Sequence, residues 1–374
     1  MGKEITMQGR IFIAATKQND GKTTVALGLI NVLRKKLKRV GFIKPVGQRY
    51  VIEDGYKVDE DSILIERVCS MGCRLQDMSP IAIEKGFTEN YIKSGNHEKL
   101  VNDIVGSFER IARHKELVVI EGTGHAGVGS VFDLSNARVA RLLGAKVILV
   151  TAGGIGRPID EIVLNMALFE KEGVEVIGVI VNKVLPSKYK KIERVVRAGL
   201  KKKGIDVLGV IPYTPLLSMP TIQHILEETG MELISKRVGM RNKVQKILVG
   251  AMQPHDALDY IENGSLLITP GDREDMLMTL LNAHLLKRHK KDNLISGIIL
   301  TGGIVPDHKI MMLIEKANIP VLLSKKHTYA TAAEVHDLTI KIRPEDKEKT
   351  IMAADLVKKY VDIDRIILKL NIKS

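Results

Sequence analysis

Short apolar, β-branched runs alternate along the first 211 residues with longer stretches whose apolar positions recur every three to four residues. The runs fall at 11–15, 40–44, 117–121, 146–150, 176–182 and 207–211, and they read as strands. Helical periodicity fills most of the gaps, notably at 25–37, 60–69, 100–113, 134–143, 158–170 and 188–202. Strands separated by helices imply right-handed crossovers and a parallel sheet covered on both faces. The rhythm breaks near Pro212: the stretch IPYTPLLSMPT at 211–221 carries three prolines, and polar, weakly periodic sequence follows to about Gln245. A boundary belongs there. A second, smaller series then starts at 247–251, with strands at 266–269, 297–300 and 321–323 and a last helix near 347–360. The expectation is an α/β protein with helices on both faces of a parallel sheet over 1–215, a linker at 216–245, and a smaller α/β domain at 246–374.

A length of 374 residues suits two domains. Hydrophobic residues make up 45% and charged residues 27%, the balance of a soluble globular chain. Aromatics are only 4% with no Trp, so the core must rest on Ile, Val, Leu and Ala, as in parallel sheets buried on both faces. No apolar run approaches the roughly 20 residues that span a bilayer. The opening MGKEITMQGR has no apolar segment ahead of the first strand. A cytoplasmic protein without membrane contact is therefore expected. Cys69 and Cys73 lack the two further ligands a zinc site needs, which leaves a buried or idle thiol pair. The net charge of +13 comes partly from clusters at 34–39, 201–203 and 287–291, each at the end of an expected helix. Cations there complement the helix dipole. A nucleic acid could use such a surface, but no aromatic-rich strand or recognition-helix pattern accompanies it, so a nucleic-acid partner is not expected.

The stretch that carries chemistry lies near the start. The strand at 11–15 runs into small and polar residues and then Gly21, Lys22, Thr23 and Thr24, after which a helical pattern begins. A strand, a turn of backbone N–H groups and a helix N-terminus together make an anion cradle. Asn19, Asp20, Gly21, Lys22, Thr23 and Thr24 form the expected nucleotide contacts, with Lys22 reaching the β/γ-phosphates and Thr23 ligating Mg²⁺. Thr16 stands where the common phosphate-loop pattern has its first glycine. The bland alternative is an ordinary strand-to-helix turn.

Further residues converge on the same end of the sheet. Lys44 emerges at the carboxyl end of a strand, where ligands bind in open α/β sheets. Asp61 lies in the first turn of the 60–69 helix; it is a candidate metal carboxylate or simply a helix-dipole partner. Glu121 ends an apolar strand and is followed by glycines, a position from which a carboxylate can hold Mg²⁺ opposite Thr23. His125 reads as exposed or as a substrate contact, and Asp133 as the cap of the next helix.

Taken together, GKTT, the KPV at 44–46, the acid of DSIL, the EGTG at 121–124 and the VIVNK at 179–183 resemble dethiobiotin synthetase and its relatives, including cobyrinic acid a,c-diamide synthase, over roughly 10–215. The resemblance implies a P-loop NTPase module that takes ATP and Mg²⁺. It implies that Lys22 and Lys44 contact phosphate and the reacting carbamate or acyl phosphate, that Thr23, Asp61 and Glu121 surround Mg²⁺, and that Asn182 reads the adenine edge. It also implies a homodimer. Lys17 stands where deviant-Walker ATPases carry a second lysine that reaches phosphate across a dimer interface, and this chain has it where dethiobiotin synthetases have an acid. A loop lysine facing solvent is the alternative.

In the second half, TPGDRE at 269–274 and LTGG at 300–303 follow expected strands and resemble the paired signatures of a DRTGG domain. The glycines and the Asp272–Arg273 pair suggest an anion nest, an intersubunit ion pair or a plain tie between loops. A dethiobiotin-synthetase-like module followed by a DRTGG domain resembles the regulatory front part of long phosphate acetyltransferases. With the chain ending at Ser374, acetyltransferase activity is expected to be absent. Three functions follow: a slow Mg-ATPase whose nucleotide state is passed to the DRTGG domain; a ligase that activates a carboxylate or carbamate for attack by an amine; and a basic nucleic-acid-associated ATPase.

Overall fold

The computed structural model describes residues 9–287 and 294–372, which divide into two units, one of residues 1–214 and 342–374 and the other of residues 215–341. In the first unit six strands, β1 (Gly9–Ala15), β2 (Val40–Ile43), β3 (Leu117–Glu121), β4 (Lys146–Ala152), β5 (Val176–Val184) and β6 (Val207–Pro212), pair in the order β6-β5-β4-β1-β3-β2. Every pairing is parallel. The central strands are buried along nearly their whole length, as a sheet covered on both faces requires. Covering helices include α1 (Lys22–Leu33), α2 (Glu60–Cys69), α3 (His97–Ala112), α4 (Asn136–Leu142), α5 (Gly156–Lys171) and α6 (Tyr189–Lys201). All strands point the same way, so the loops after β1, β2, β3, β4 and β5 gather at one end.

Helix α1 is apolar nearly all round, with Val25, Ala26, Leu27, Leu29, Ile30 and Leu33 buried, and such a helix needs cover on two sides. The sheet supplies one. The other is α10 (Lys347–Tyr360), which follows the second unit in sequence and packs on α1 through Ala353 and Val357. Gly28 permits this approach, because a Cβ there would lie 2.4 Å from Val357 Cγ2 and 2.7 Å from the Ala353 carbonyl oxygen. Beyond it, Val361 bridges to Gly209 on β6, Asp362 N donates to Leu208 O at 2.8 Å, and α11 (Ile363–Lys369) begins. The expected second domain, 246–374, is thus corrected at its end: residues 342–374 return to the first unit because α1 and β6 have apolar and edge surface to cover.

The second unit pairs β7 (Glu232–Leu233), β8 (Lys246–Val249), β9 (Ser265–Pro270), β10 (Ile295–Thr301) and β11 (Val321–Leu323) in the order β7-β11-β10-β9-β8, with only β7 antiparallel. The stretch expected as a linker, 216–245, is also corrected. It contains α7 (Ile222–Thr229), capped by a reciprocal Thr221–His224 box, and β7. Ile222 and Ile225 enter this unit's core beside Leu266, Ile268 and Ile299. Helices α8 (Glu274–Lys287) and α9 (Thr328–His336) follow β9 and β11. Of the basic cluster at 287–291, residues 288–291 lie outside the described residues. No described helix is long and apolar enough to cross a membrane.

Candidate functional site

The loop between β1 and α1 is closed by its own side chains. Asp20 accepts from Thr16 Oγ1 at 2.7 Å and from the Lys17 backbone N–H at 2.8 Å, and Thr16 Oγ1 lies 3.0 Å from Thr151 Oγ1. Thr16, in the place of a glycine, therefore helps shape the turn. Asn19 and Gly21 take left-handed backbone angles, φ 68° and 97°. Asn19 O accepts from Lys183 Nζ at 2.6 Å, and Asp20 O accepts from Asn182 Nδ2 at 2.9 Å. Only glycine fits at 21, since a Cβ would sit 2.2 Å from Asn182 Nδ2. Asn182 therefore braces the loop. Burial raises the Asp20 carboxyl against the pull of these hydrogen bonds, and burial lowers the Lys183 ammonium.

Gly21 is the N-cap of α1, and no side chain caps the helix. The N–H groups of Lys22, Thr23 and Thr24 therefore precede the first intrahelical bond, Val25 N to Gly21 O at 3.0 Å, and face the loop. Lys22 is buried, and burial lowers its ammonium, with Glu121 the main opposing attraction. An anion here would meet three N–H groups, a helix N-terminus and a poorly hydrated cation.

Across the loop, Thr23 Oγ1 donates to Glu121 Oε1 at 2.8 Å, while the other carboxylate oxygen, Oε2, is buried with no hydrogen-bond partner. Burial pushes the Glu121 carboxyl up to about 7, and Lys44 and Thr23 only partly offset it. Lys44 Nζ pairs with Asp61, lies 3.1 Å from Asp59 Oδ1 and 3.7 Å from Glu121 Oε1, and all four residues are buried. Burial works against its charge, yet Asp61, Glu121 and Asp59 outweigh it and hold the ammonium above its ordinary range.

Asp59, which the sequence does not single out, has two roles here. It is the N-cap of α2, accepting from Asp61 N at 2.9 Å, and it is also a partner of Lys44. The hairpin of Tyr50–Glu53 with Tyr56–Asp59 delivers it there, and the only sequence signal was an acid immediately before an apolar helix. Asn165 was missed. From inside α5 it accepts from Ala126 N at 2.8 Å and donates to Thr16 O at 3.3 Å, tying the loop after β3 to the phosphate loop. A mid-helix Asn among apolar neighbours was its signal. Lys17 does not join the group. It pairs with Glu161 on α5, which also binds Arg157. His125 is exposed, its Nδ1 accepting from Gly127 N. Asp133 does not cap α4; Ser135 does, accepting from Arg138 N at 3.1 Å. Cys69 and Cys73 are free thiols, and burial pushes Cys69 to about 11.

The donor set fits Mg²⁺ accompanied by a triphosphate. Thr23 and Glu121 face each other, and Glu121 keeps a buried oxygen in need of a partner. Among the described residues no three His, Cys, Asp or Glu side chains form a self-sufficient metal cage. Mg²⁺ usually takes one or two protein carboxylates and completes its shell with phosphates and water.

In the second unit the paired signatures make contacts within that unit. Arg273 reaches Asp275 at 2.9 Å and donates to Met252 O at 3.1 Å, so its acid partner there is Asp275 and it ties two loops. Gly302 N and Gly303 N donate to Lys326 O and Ser324 O, each at 2.9 Å. These two N–H groups are satisfied by carbonyls.

Residues 9–221, more than half of the chain, match the AAA domain family model, and residues 224–338 match the DRTGG domain. The phosphate acetyltransferase of Nitratidesulfovibrio vulgaris is 27% identical over 366 residues, covering 95% of this chain and 51% of that protein. That of Synechocystis sp. is 27% identical over 374 residues, covering 96% and 52%. The chain spans about half the length of these curated relatives. Among solved structures, the MinC:MinD cell division protein complex of Aquifex aeolicus superposes with a TM-score of 0.35 at 19% identity, over 56% of this chain and 83% of that one. The chain belongs to the AAA domain family and carries a DRTGG domain behind it.

Proposed function

We propose that this AAA-domain protein binds Mg-ATP between the β1–α1 loop and Glu121, hydrolyses it slowly, and passes its nucleotide state to the DRTGG domain. One observation carries the reading: the Thr23 hydroxyl meets Glu121 Oε1 at 2.8 Å while Glu121 Oε2 is buried without a partner. The loop N–H groups and Lys22 would hold the β- and γ-phosphates, with Gly21 allowing the backbone to come close. Thr23 and Glu121 would hold Mg²⁺, whose charge neutralises the phosphate oxygens. Asn182 and Lys183 keep the loop bent through its carbonyls.

The ligase alternative, with a small carboxylate or amine as substrate, requires Lys44 to reach a reacting carbamate or acyl phosphate. Lys44 is instead engaged by Asp61, Asp59 and Glu121, which favours the ATPase reading. The resemblance also supports a second copy across the loop. Lys17 pairs with Glu161 of α5, which exposes Val163 and Leu164 nearby in sequence.

Titration of Mg-ATP into the wild-type chain and into Lys22→Ala tests the reading. Lys22→Ala is expected to weaken binding at least roughly a hundredfold, the loss of a charge-assisted phosphate contact in a buried site. Equal affinity in the two proteins would overturn the site. Phosphate release that rises strongly with one diamine or dicarboxylate would shift the reading to the ligase.

A further inference from the structure

One of the charge clusters that the sequence places at helix ends, 201–203, meets cations from a later segment of the chain in the folded first unit. A cleft of about 380 Å³ opens beside Gly204, at the start of β6, and is lined by Arg197 and Lys201 of α6, by Asp206, and by Arg365 of α11. The phosphate loop follows the end of β1, so this cleft lies at the opposite end of the parallel strands. Its single acid is already shared: Asp206 accepts from Arg365 Nη2 at 2.6 Å and pairs with Lys369 at 2.8 Å. One negative charge thus faces two cations. Arg197 donates to Val207 O at 2.8 Å and stands 3.5 Å from Glu193, while Lys201 is exposed and has no ion-pair partner among the described residues. Lys202 and Lys203 are exposed on the same turn. A helix C-terminus accounts for lysines at the end of α6. It does not account for Arg365, which arrives in the first half of α11, from a segment more than 150 residues later in the chain.

We propose that this cleft is a second anion site, built for an oligophosphate. Two guanidinium groups can each grip a phosphate by two N–H donors, and the ammonium of Lys201 adds an unpaired point charge at the rim. The volume suits a chain of two or three phosphates with part of what bears them. Gly204 leaves open space where a side chain would stand. The direction of the Asp206 shift agrees: burial raises its carboxyl, but Lys369 and Arg365 outweigh burial and hold it below its ordinary range. The same chemistry is found in a free oligophosphate and in a nucleic-acid backbone.

Calorimetric titration with inorganic tripolyphosphate at low ionic strength tests the site. The wild-type chain is expected to take up two equivalents, Lys22→Ala one, Lys201→Glu one, and the double variant none. Lys201→Glu touches no core contact, and its unchanged melting temperature checks that it folds. Arg197→Gln is expected to weaken the second equivalent at least roughly tenfold, since each guanidinium contributes charge-assisted bonds. If the wild type takes up one equivalent that Lys22→Ala removes, or if Lys201→Glu still takes up two, the cleft is not an anion site. A failure of the phosphate loop reads out separately, as an unchanged stoichiometry in Lys22→Ala. Displacement of the second equivalent by a short DNA duplex, steeply weakened by salt, assigns the phosphates to a nucleic-acid backbone. No displacement assigns them to a free oligophosphate. Either result leaves the site standing.

Discussion

Both units end parallel strands in loops that contain glycine, yet the polar groups in those loops are treated differently. In the first unit, the N-terminal N–H groups of α1 have no side-chain cap, and Glu121 Oε2 is buried without a partner. Lys44 is gripped by three acids there. In the second unit, Gly302 and Gly303 donate to carbonyls, Thr301 Oγ1 meets Thr328 Oγ1 at 2.8 Å, and Ser324 Oγ meets Thr331 Oγ1 at 2.8 Å. Gly271 is required by packing, since a Cβ there would lie 1.8 Å from Ile304 O. A glycine after a strand therefore does not by itself mark an anion site. What distinguishes the two is polar demand left over after the fold has satisfied what it can.

That contrast makes the effects of mutation at the two sets of loops differ in size, and one substitution in the first unit differ in sign. The largest effect is expected for Lys44→Met, which leaves Asp59, Asp61 and Glu121 without their shared cation; breaking a buried ion cluster this way costs about 3–5 kcal/mol. Denaturant unfolding of the ligand-free protein measures it, and a loss below about 1 kcal/mol, the scale of an exposed pair, would break the comparison.

Next comes Glu121→Gln. The folded-state carboxyl lies near 7, above the value of about 4.5 that an unfolded Glu has, so between those pH values the folded chain binds more protons. Ligand-free stability should therefore fall as pH rises from about 4.5 to about 7. Gln removes that loss, so the variant is expected to be as stable as the wild type or more so at pH 8, while its Mg²⁺ dependence of ATP binding disappears. Melting curves at pH 5 and pH 8 check it; a wild type that grows more stable over this range through Glu121 would contradict the sign.

In the second unit the expected effect is opposite in sign to that of Glu121→Gln and smaller than that of Lys44→Met. Thr301→Val leaves the Thr328 hydroxyl without its partner and is expected to cost about 1 kcal/mol, with ATP affinity at the first unit unchanged. A stabilised Thr301→Val protein would mean that these hydroxyls also await a ligand. The smallest effect is expected for Asp206→Asn, below about 1 kcal/mol, because Arg365 is about half exposed and solvent screens the pair.

Much of this was legible residue by residue. The 60–69 helix and the 321–323 strand have the bounds the periodicity predicts. Lys22, Thr23, Asp61, Glu121 and Lys44 were all picked out from strand ends and a helix start, because in a parallel sheet those positions share one end. Asp59 and Asn165 were not, since each acts through a partner more than 10 residues away that no local pattern announces. Asp133 was misread because a short acid two residues ahead of a Ser competes for the same capping role, and only backbone angles decide between them: Asp133 is left-handed and Ser135 extended.

By itself, then, the order of apolar runs and helical periods determined two α/β units, the parallel sheet and the phosphate loop, because strand and helix periodicity, helix capping and loop glycines act over a few residues. Tertiary structure alone decided that 342–374 belong with the first unit, that Lys44 is held by three acids, and that Arg197, Lys201 and Arg365 line one cleft. Each of these depends on which apolar and charged surfaces, distant in sequence, have no other way to be covered.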